Sequence, residues 1–356
     1  MKFENLNSFY SKRRVLVTGH TGFKGSWLCQ ILSELGADVL GYSLPPPTQP
    51  NLFDLLRLDN RIKHVEGDIR NFNFLRETVL DFQPQVIFHL AAQPLVRESY
   101  QDPRYTYETN VMGTVNILET LRMLDYEVSF VNVTTDKVYK NKEWEWGYRE
   151  IEELDGYDPY SNSKSCSELV TNSYKNCFFS KSNKFVSTAR AGNVIGGGDF
   201  SKDRILPDCL RACSNGEIIK IRNPNSTRPY QHVLEPLFFY LLLASKQVNS
   251  RSIVGSYNVG PEEADCVTTG ELATMYCEAW GNGLTWQNIS EQNAPHEANF
   301  LKLDCSKAKK ALGWYPLWGI REAVKRTCDF NRVYLSGQDV LKEVNDQIRA
   351  YKQGGE

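Results

Sequence analysis

The stretch Val15-Leu16-Val17-Thr18-Gly19-His20-Thr21-Gly22-Phe23-Lys24-Gly25 constrains the fold of this chain more than any other. A short β-branched run ends in three glycines, and an apolar-periodic stretch, Trp27 to Leu35, follows at once. That order is strand, tight loop, helix. Gly19 can take the sharp turn, Gly22 lets backbone approach a diphosphate, and Gly25 lets helix and strand pack closely. The helix N-terminus then directs free N–H groups at the phosphates. A plain tight turn would use the same glycines, so the loop alone does not settle a function. Its place on the first strand of the chain is what favours a nucleotide.

At 356 residues the chain can bury a large core, as one big domain or two interleaved ones. A net charge of −2 gives no reason to expect nucleic acid or an anionic membrane as partner. Nine scattered cysteines, with no Cys-x-x-Cys pair, suggest reduced thiols in a cytoplasmic protein, and no metal-ligand spacing is present. Lys2, Glu4, Lys12, Arg13 and Arg14, without an apolar core, do not read as a signal peptide. The most apolar run, Leu237 to Ala244, is too short to span a bilayer and is expected to be a buried helix.

From there strand and helix alternate. Strands are expected at Asp38–Tyr42, Lys63–Asp68, Val86–Leu90, Ser129–Val133 and Phe185–Ala189. Thr106 to Met123 has helical spacing, and Asp158-Pro159 reads as the cap and first residue of another helix. The fold class is therefore α/β: a Rossmann-type doubly wound parallel sheet with a smaller C-terminal α/β substrate-binding lobe. Residues 1–190 are expected to form the dinucleotide-binding domain and 191–356 mainly the second lobe. The chain is expected to return to the sheet between 229 and 260, near Ser256-Tyr257-Asn258-Val259. Ligands should lie beyond the carboxyl ends of the strands.

One spacing carries the chemistry. Tyr160 and Lys164 stand at i and i+4, on one helix face. A nearby ammonium favours phenolate, which would make Tyr160 a usable acid/base. Such a pair is common on solvated helix faces. What raises its weight is Thr134-Thr135-Asp136-Lys137, which ends the fifth strand where ligands sit in such sheets.

Together, the glycine pattern, the position of Thr135 and the Tyr160/Lys164 pair resemble the extended short-chain dehydrogenase/reductase family of nucleotide-sugar enzymes. Within it, the chain is most similar to the CDP-glucose 4,6-dehydratase group. The matching stretches run from Gly19 to Leu28, Thr134 to Tyr139, Arg228 to Val233, Pro295 to Asn299 and Leu303 to Ala308, so the resemblance spans essentially the whole chain. It implies oxidation of a hexose at C4, elimination of water across C5 and C6, and reduction at C6 with a recycled NAD. The substrate would be CDP-glucose and the product CDP-4-keto-6-deoxyglucose, a precursor of the deoxysugars of bacterial surface polysaccharide such as O-antigen.

The resemblance also implies roles. Tyr160 takes the C4 hydroxyl proton, Lys164 lowers its pKa and holds the nicotinamide ribose, and Thr135 bonds the C4 oxygen. Asp136 protonates the departing 6-hydroxyl. Related dTDP-glucose dehydratases carry a Glu beside that Asp as the C5 base; here the residue is Lys137. Lys137 could take the C5 proton as a neutral amine or, charged, stabilise the enolate at C4. The cofactor falls to Gly19, Thr21, Gly22, Phe23, Lys24 and Gly25, to Asp68 and Ile69 at the adenine, and to Leu90, Ala91, Ala92 and Gln93 with Asn110 behind them. Substrate-binding candidates besides Thr135 are Asn193, Arg204, Leu206, Pro207, Arg222, Arg228 and His296; Arg suits a diphosphate because it binds it bidentately.

One departure stands out. NAD-binding members usually carry an acid at the end of strand two to bond the ribose. This chain has Tyr42-Ser43 there, with Asp38 too early and no Arg for a 2′-phosphate. The residues alone leave NAD and NADP open, and the resemblance implies NAD. It also implies a homodimer or homotetramer through helices around Val111–Met123 and Tyr160–Phe179. The alternatives are another nucleotide-sugar 4,6-dehydratase, a 4-epimerase on the same scaffold, which needs no acid for a leaving hydroxyl, or a non-catalytic NAD-binding sensor.

Overall fold

The computed structural model describes residues 3–290 and 300–354. Seven strands form one parallel sheet: β1 (Arg14–Thr18), β2 (Asp38–Ser43), β3 (Lys63–Glu66), β4 (Val86–His89), β5 (Val128–Thr135), β6 (Lys184–Ala191) and β7 (Ser256–Val259). Their order is β7-β6-β5-β4-β1-β2-β3. The first connections run outward from β1 to β3, and the chain then crosses back to β4. The reversal between β1 and β4 opens a crevice at the carboxyl ends, the general ligand site of such sheets. β5 and β6 are buried along their whole length, as befits strands covered on both faces.

Each face has its own apolar layer. On one side, Trp27, Leu28, Ile31 and Leu32 of the glycine-loop helix (Phe23–Glu34) join Leu237, Phe238, Leu241 and other residues of the central helix (Leu234–Gln247). On the other, Leu75 and Val79 pack with Ile117, Leu118 and Leu121. The run Leu237–Ala244 is entirely buried in the central helix, so its apolarity on every side reflects sheet packing. No helix of the described residues is long and apolar enough to cross a membrane.

Beyond residue 190 the chain divides between two bodies. The central helix, β7 and the last helix (Val340–Gly354) belong to the sheet, and Tyr351 donates its hydroxyl to Glu235 at 2.6 Å. Helices Ile205–Asn215, Thr269–Trp280 and Ile320–Leu335 enclose a separate cluster that includes Leu206, Cys209, Leu272, Tyr276 and Val324. Trp27 joins the bodies by donating its indole N–H to the Gly197 carbonyl at 2.9 Å. Gly197 has no room for a side chain, because a Cβ there would lie 1.9 Å from the Phe330 ring.

Two local features set the crevice. The tyrosine helix (Pro159–Tyr174) is capped by Asp158, which accepts from the Ser161 N–H at 2.9 Å, with Pro159 at the first position. The expected helix from Thr106 to Met123 is interrupted by a π-turn at Glu108–Met112, within which Asn110 is buried.

Candidate active site

The glycine loop forms a cradle. Gly19 has φ +73°, and a Cβ there would lie 2.7 Å from the Ala91 nitrogen. Both facts demand glycine. A Cβ at Gly25 would lie 2.2 Å from the Gly19 carbonyl oxygen, so loop and helix touch backbone to backbone. Gly22 differs: a Cβ there would meet nothing nearer than 3.5 Å. It precedes the helix without a side-chain cap, leaving the first N–H groups open toward the crevice. A dinucleotide diphosphate fits that cradle.

The walls of the crevice are wired from behind. Thr18 Oγ1 accepts from the N–H groups of Leu90 and Ala91, each at 3.2 Å, and lies 2.8 Å from His89 Nδ1. Asn110 grips Gln93 by both backbone groups, at 2.8 and 3.0 Å, and donates to Ser163 of the tyrosine helix at 2.8 Å. Gln93 turns its own amide inward to Thr106. His20 lies over Gly41, where a Cβ would come within 2.3 Å of its ring, and reaches His64 at 2.7 Å.

At the end of β2, Ser43 hydrogen-bonds Thr21 at 2.7 Å, and Tyr42 donates to the Asp68 carbonyl at 2.9 Å. The Asp68 carboxylate is clamped by Arg70, whose hydrogen bonds hold it below the usual carboxylate range. Ile69 is buried against Gly113. Ala92 is half-buried beside Gln93.

The chemical groups meet where β5 ends. Thr135 donates to Asp136 Oδ1 at 2.9 Å and is within hydrogen-bond reach of Tyr160. Asp136 is 1% exposed, and its other oxygen has no hydrogen-bond partner among the described residues. Burial raises its pKa, outweighing the opposing pull of Lys137, Thr135 and Arg228. A carboxyl held in this way favours its neutral, proton-donating form. Lys137 itself is half-buried.

Tyr160 behaves otherwise than its spacing to Lys164 suggests. Burial pushes its phenol up to about 12, and the groups that pull it down are Thr135 and Arg204. Lys164 turns its ammonium to the Val133 carbonyl at 3.4 Å. Burial and the Lys24 charge bring Lys164 down to about 7. Lys24 is brought down to about 8 by burial and Arg204, with Asp136 and Asp199 opposing. Lys24, Lys164, Arg204, Asp136 and Asp199 thus form one linked cluster of titratable groups, of which Arg204 and Asp136 bear on the phenol.

In the second lobe, Arg204 donates to Asp199 at 2.8 Å, closer to the chemistry than a nucleotide ligand need be. Arg228 is buried on Thr227–Arg228, with one guanidinium nitrogen unpartnered and its charge on Asp136. Arg222 is held by Asp203 at 2.6 Å. Asn193 is half-buried just past β6. The Leu206 side chain is 1% exposed inside the lobe's apolar cluster, because this amphipathic helix faces its apolar side to the lobe core, and Pro207 is buried on the same helix. His296 lies outside the described residues.

Sequence reading missed Glu168, Arg190 and Asp199. The usable signal was Glu168 at i+4 from Lys164, a second charged residue on the tyrosine face. Arg190 stands on β6 two residues beyond Thr188, on one strand face; Asp199 stands between elements with no periodic partner to flag it.

Two predictions follow from this geometry. Gly22→Ala should fold normally and lose dinucleotide affinity by calorimetry, whereas Gly25→Ala should lower the melting temperature, because the new methyl meets a carbonyl that cannot move away. Equal melting of the two variants would contradict it. Asp136 has a folded pKa raised above its unfolded value, so it favours the fold while protonated, and that contribution is lost as pH rises through the raised pKa. Asp136→Asn should therefore match wild type in acid and melt higher above neutrality; a lower melting temperature at pH 8 would refute it.

Comparison with known proteins agrees with the geometry. Residues 16–327 match the family described as GDP-mannose 4,6 dehydratase. The chain is 46% identical to a CDP-glucose 4,6-dehydratase of Salmonella typhimurium, across 96% of this chain and 98% of that one. It is 32% identical to a probable dTDP-glucose 4,6-dehydratase of Sinorhizobium fredii, across 89% and 92%. Among solved structures it shares its fold with a UDP-glucose 4-epimerase of Thermotoga maritima, TM-score 0.78 at 21% identity, covering 90% and 99%. A dTDP-glucose 4,6-dehydratase of Bacillus anthracis in complex with NAD gives 0.75 at 20%, covering 92% and 99%. By the match over most of its length and a relative 46% identical nearly end to end, the chain belongs to the GDP-mannose 4,6-dehydratase family of nucleotide-sugar enzymes.

Proposed function

We propose that this protein is a CDP-glucose 4,6-dehydratase that converts CDP-glucose to CDP-4-keto-6-deoxyglucose and water. The observation that carries the reading is the buried Asp136, whose pKa burial raises, joined through Thr135 to Tyr160. A 4-epimerase needs the tyrosine and has no hydroxyl to expel, so it has no use for such an acid. The nucleotide preference rests on the Salmonella typhimurium relative.

NAD, in the cradle of Gly19, Gly22 and the walls Leu90–Gln93, would supply the oxidant at C4 and the reductant at C6. The protein's part is proton handling. Tyr160 accepts the C4 hydroxyl proton, and Thr135 orients that oxygen. A phenol at about 12 in the free protein must be brought down for this, and Arg204 already acts in that direction. A 4-ketone acidifies the C5 hydrogen, and Asp136 gives its proton to the departing 6-hydroxyl. Lys137 stands beside Asp136 as the C5 base or, charged, as the group that stabilises the enolate. Arg228 and Arg222 are the candidates for the diphosphate.

The product suits deoxysugar assembly for surface polysaccharide in the cytoplasm. A homo-oligomer is supported by exposed Met112, Met123, Leu169 and Phe178 on the two helices named for contact. Leu169→Glu should convert the oligomer to monomer in sedimentation velocity, and an unchanged sedimentation coefficient would remove that contact.

The direct test is incubation with NAD and a panel of nucleotide-glucoses, scoring 4-keto-6-deoxy product. CDP-glucose should turn over fastest, and Tyr160→Phe should lose at least about a hundredfold. Faster turnover of dTDP- or GDP-sugars would overturn the specificity; near-normal Tyr160→Phe would end the tyrosine's role. Lys137→Ala should still reduce NAD on substrate addition. If Lys137 is the base, the variant should not exchange the C5 hydrogen with deuterated solvent, and rapid exchange would leave it only an electrostatic part.

A further inference from the structure

Behind the active site lies a buried ion pair that the proposed chemistry does not use. Arg190 Nη2 lies 2.9 Å from Glu168 Oε2, with side chains 3% and 2% exposed. Glu168 stands one turn beyond Lys164 and two beyond Tyr160 on the tyrosine helix. It accepts from Thr134 Oγ1 at 2.5 Å and from Thr188 Oγ1 at 2.8 Å. Thr134 is the neighbour of Thr135, and in the sheet it is in register with Arg190.

Arg190 extends the network past the catalytic loop. It donates to Tyr139 Oη at 2.8 Å and to the Glu150 carbonyl at 3.1 Å. Tyr139 donates in turn to Asn258 of β7 at 2.6 Å. Asn258 holds the carbonyls of Tyr148 and Asp304 at 2.7 and 3.1 Å. One ion pair therefore touches the helix that carries Tyr160 and Lys164, the strand that ends in Thr135, and Tyr139, two residues past Lys137.

We propose that Glu168 and Arg190 are positioning residues: they hold the tyrosine helix against the end of β5, and Glu168 places a fixed negative charge one helical turn from Lys164. Packing alone does not explain the pair, since an apolar pair of similar size commonly stabilises a buried site equally well. Glu168 is ionised: burial pushes it up, but Arg190 and the two threonine hydroxyls outweigh this and leave it below its usual value. The charged groups facing Lys164 are Lys24 from the glycine-loop helix, which disfavours its ammonium, and Glu168, which favours it; His89 on β4 is neutral, lowered to about 3 by burial and Lys164.

The inference rests on the dehydratase reading only for its kinetic arm. Glu168→Gln keeps the shape and removes the charge. Its kcat for CDP-glucose should fall about ten- to a hundredfold with KM unchanged. Its Lys164 amine, followed by NMR in isotopically labelled protein and assigned with Lys164→Arg, should titrate about one unit lower. The alkaline limb of kcat should move to lower pH with it. Glu168→Leu with Arg190→Met should melt near wild type and remain slow.

An unmoved Lys164 titration in Glu168→Gln, or wild-type kcat in the double variant, overturns the proposal. If the double variant does not fold, Glu168→Gln decides. The titration needs no substrate, so a wild-type protein inactive on every nucleotide-glucose would refute the dehydratase reading while this one is still decided.

Discussion

Seven parallel strands place their carboxyl ends at a single edge, and the sheet reverses its order between β1 and β4. Everything chemical in this protein is built on that edge. Strand-end backbone groups no longer paired in the sheet must find partners, and here loops and side chains supply them: Thr18 holds Leu90 and Ala91, and Asn110 holds Gln93. The rim of the crevice is thus hydrogen-bonded from behind. Three glycines then let a helix N-terminus come close enough to face a diphosphate.

The site also shows how burial sorts charges of like kind. Asp136 and Glu168 are both buried carboxyls at the end of β5, Asp136 following Thr135 in the chain and Glu168 reaching it by its hydrogen bond from Thr134. Burial raises the pKa of Asp136, which has one hydroxyl partner and, among the described residues, no partner for its other oxygen. Glu168 has an arginine and two hydroxyls, so its pKa falls. One suits an acid and the other a fixed negative charge. The lysines follow the same rule in reverse: burial lowers both, helped by Arg204 at Lys24 and by Lys24 at Lys164.

Much was legible in the chain because it depends on local order. The glycine loop, the alternation of strand and helix, the Asp158 cap and the buried run Leu237–Ala244 each follow from residue type and spacing. The tyrosine pair was legible as a pair but not in its electrostatics. Spacing places Lys164 on the same helix face as Tyr160; it does not say that Lys164 turns to the Val133 carbonyl while Arg204, from the other lobe, comes to bear on the phenol. Leu206 shows a related limit: spacing places it at a helix start but does not say that its side chain is buried in the lobe's own core.

The sequence by itself determined the doubly wound sheet and the glycine loop and placed Tyr160 and Lys164 on one helix face, because these rest on φ freedom, periodicity and short-range spacing. Only the tertiary structure decided which of the buried groups keep their protons. It also decided that Glu168 meets Arg190 and that the segments after residue 190 divide between sheet and lobe. Those outcomes depend on desolvation and on contacts between residues distant in the chain, and neither quantity is written in local order.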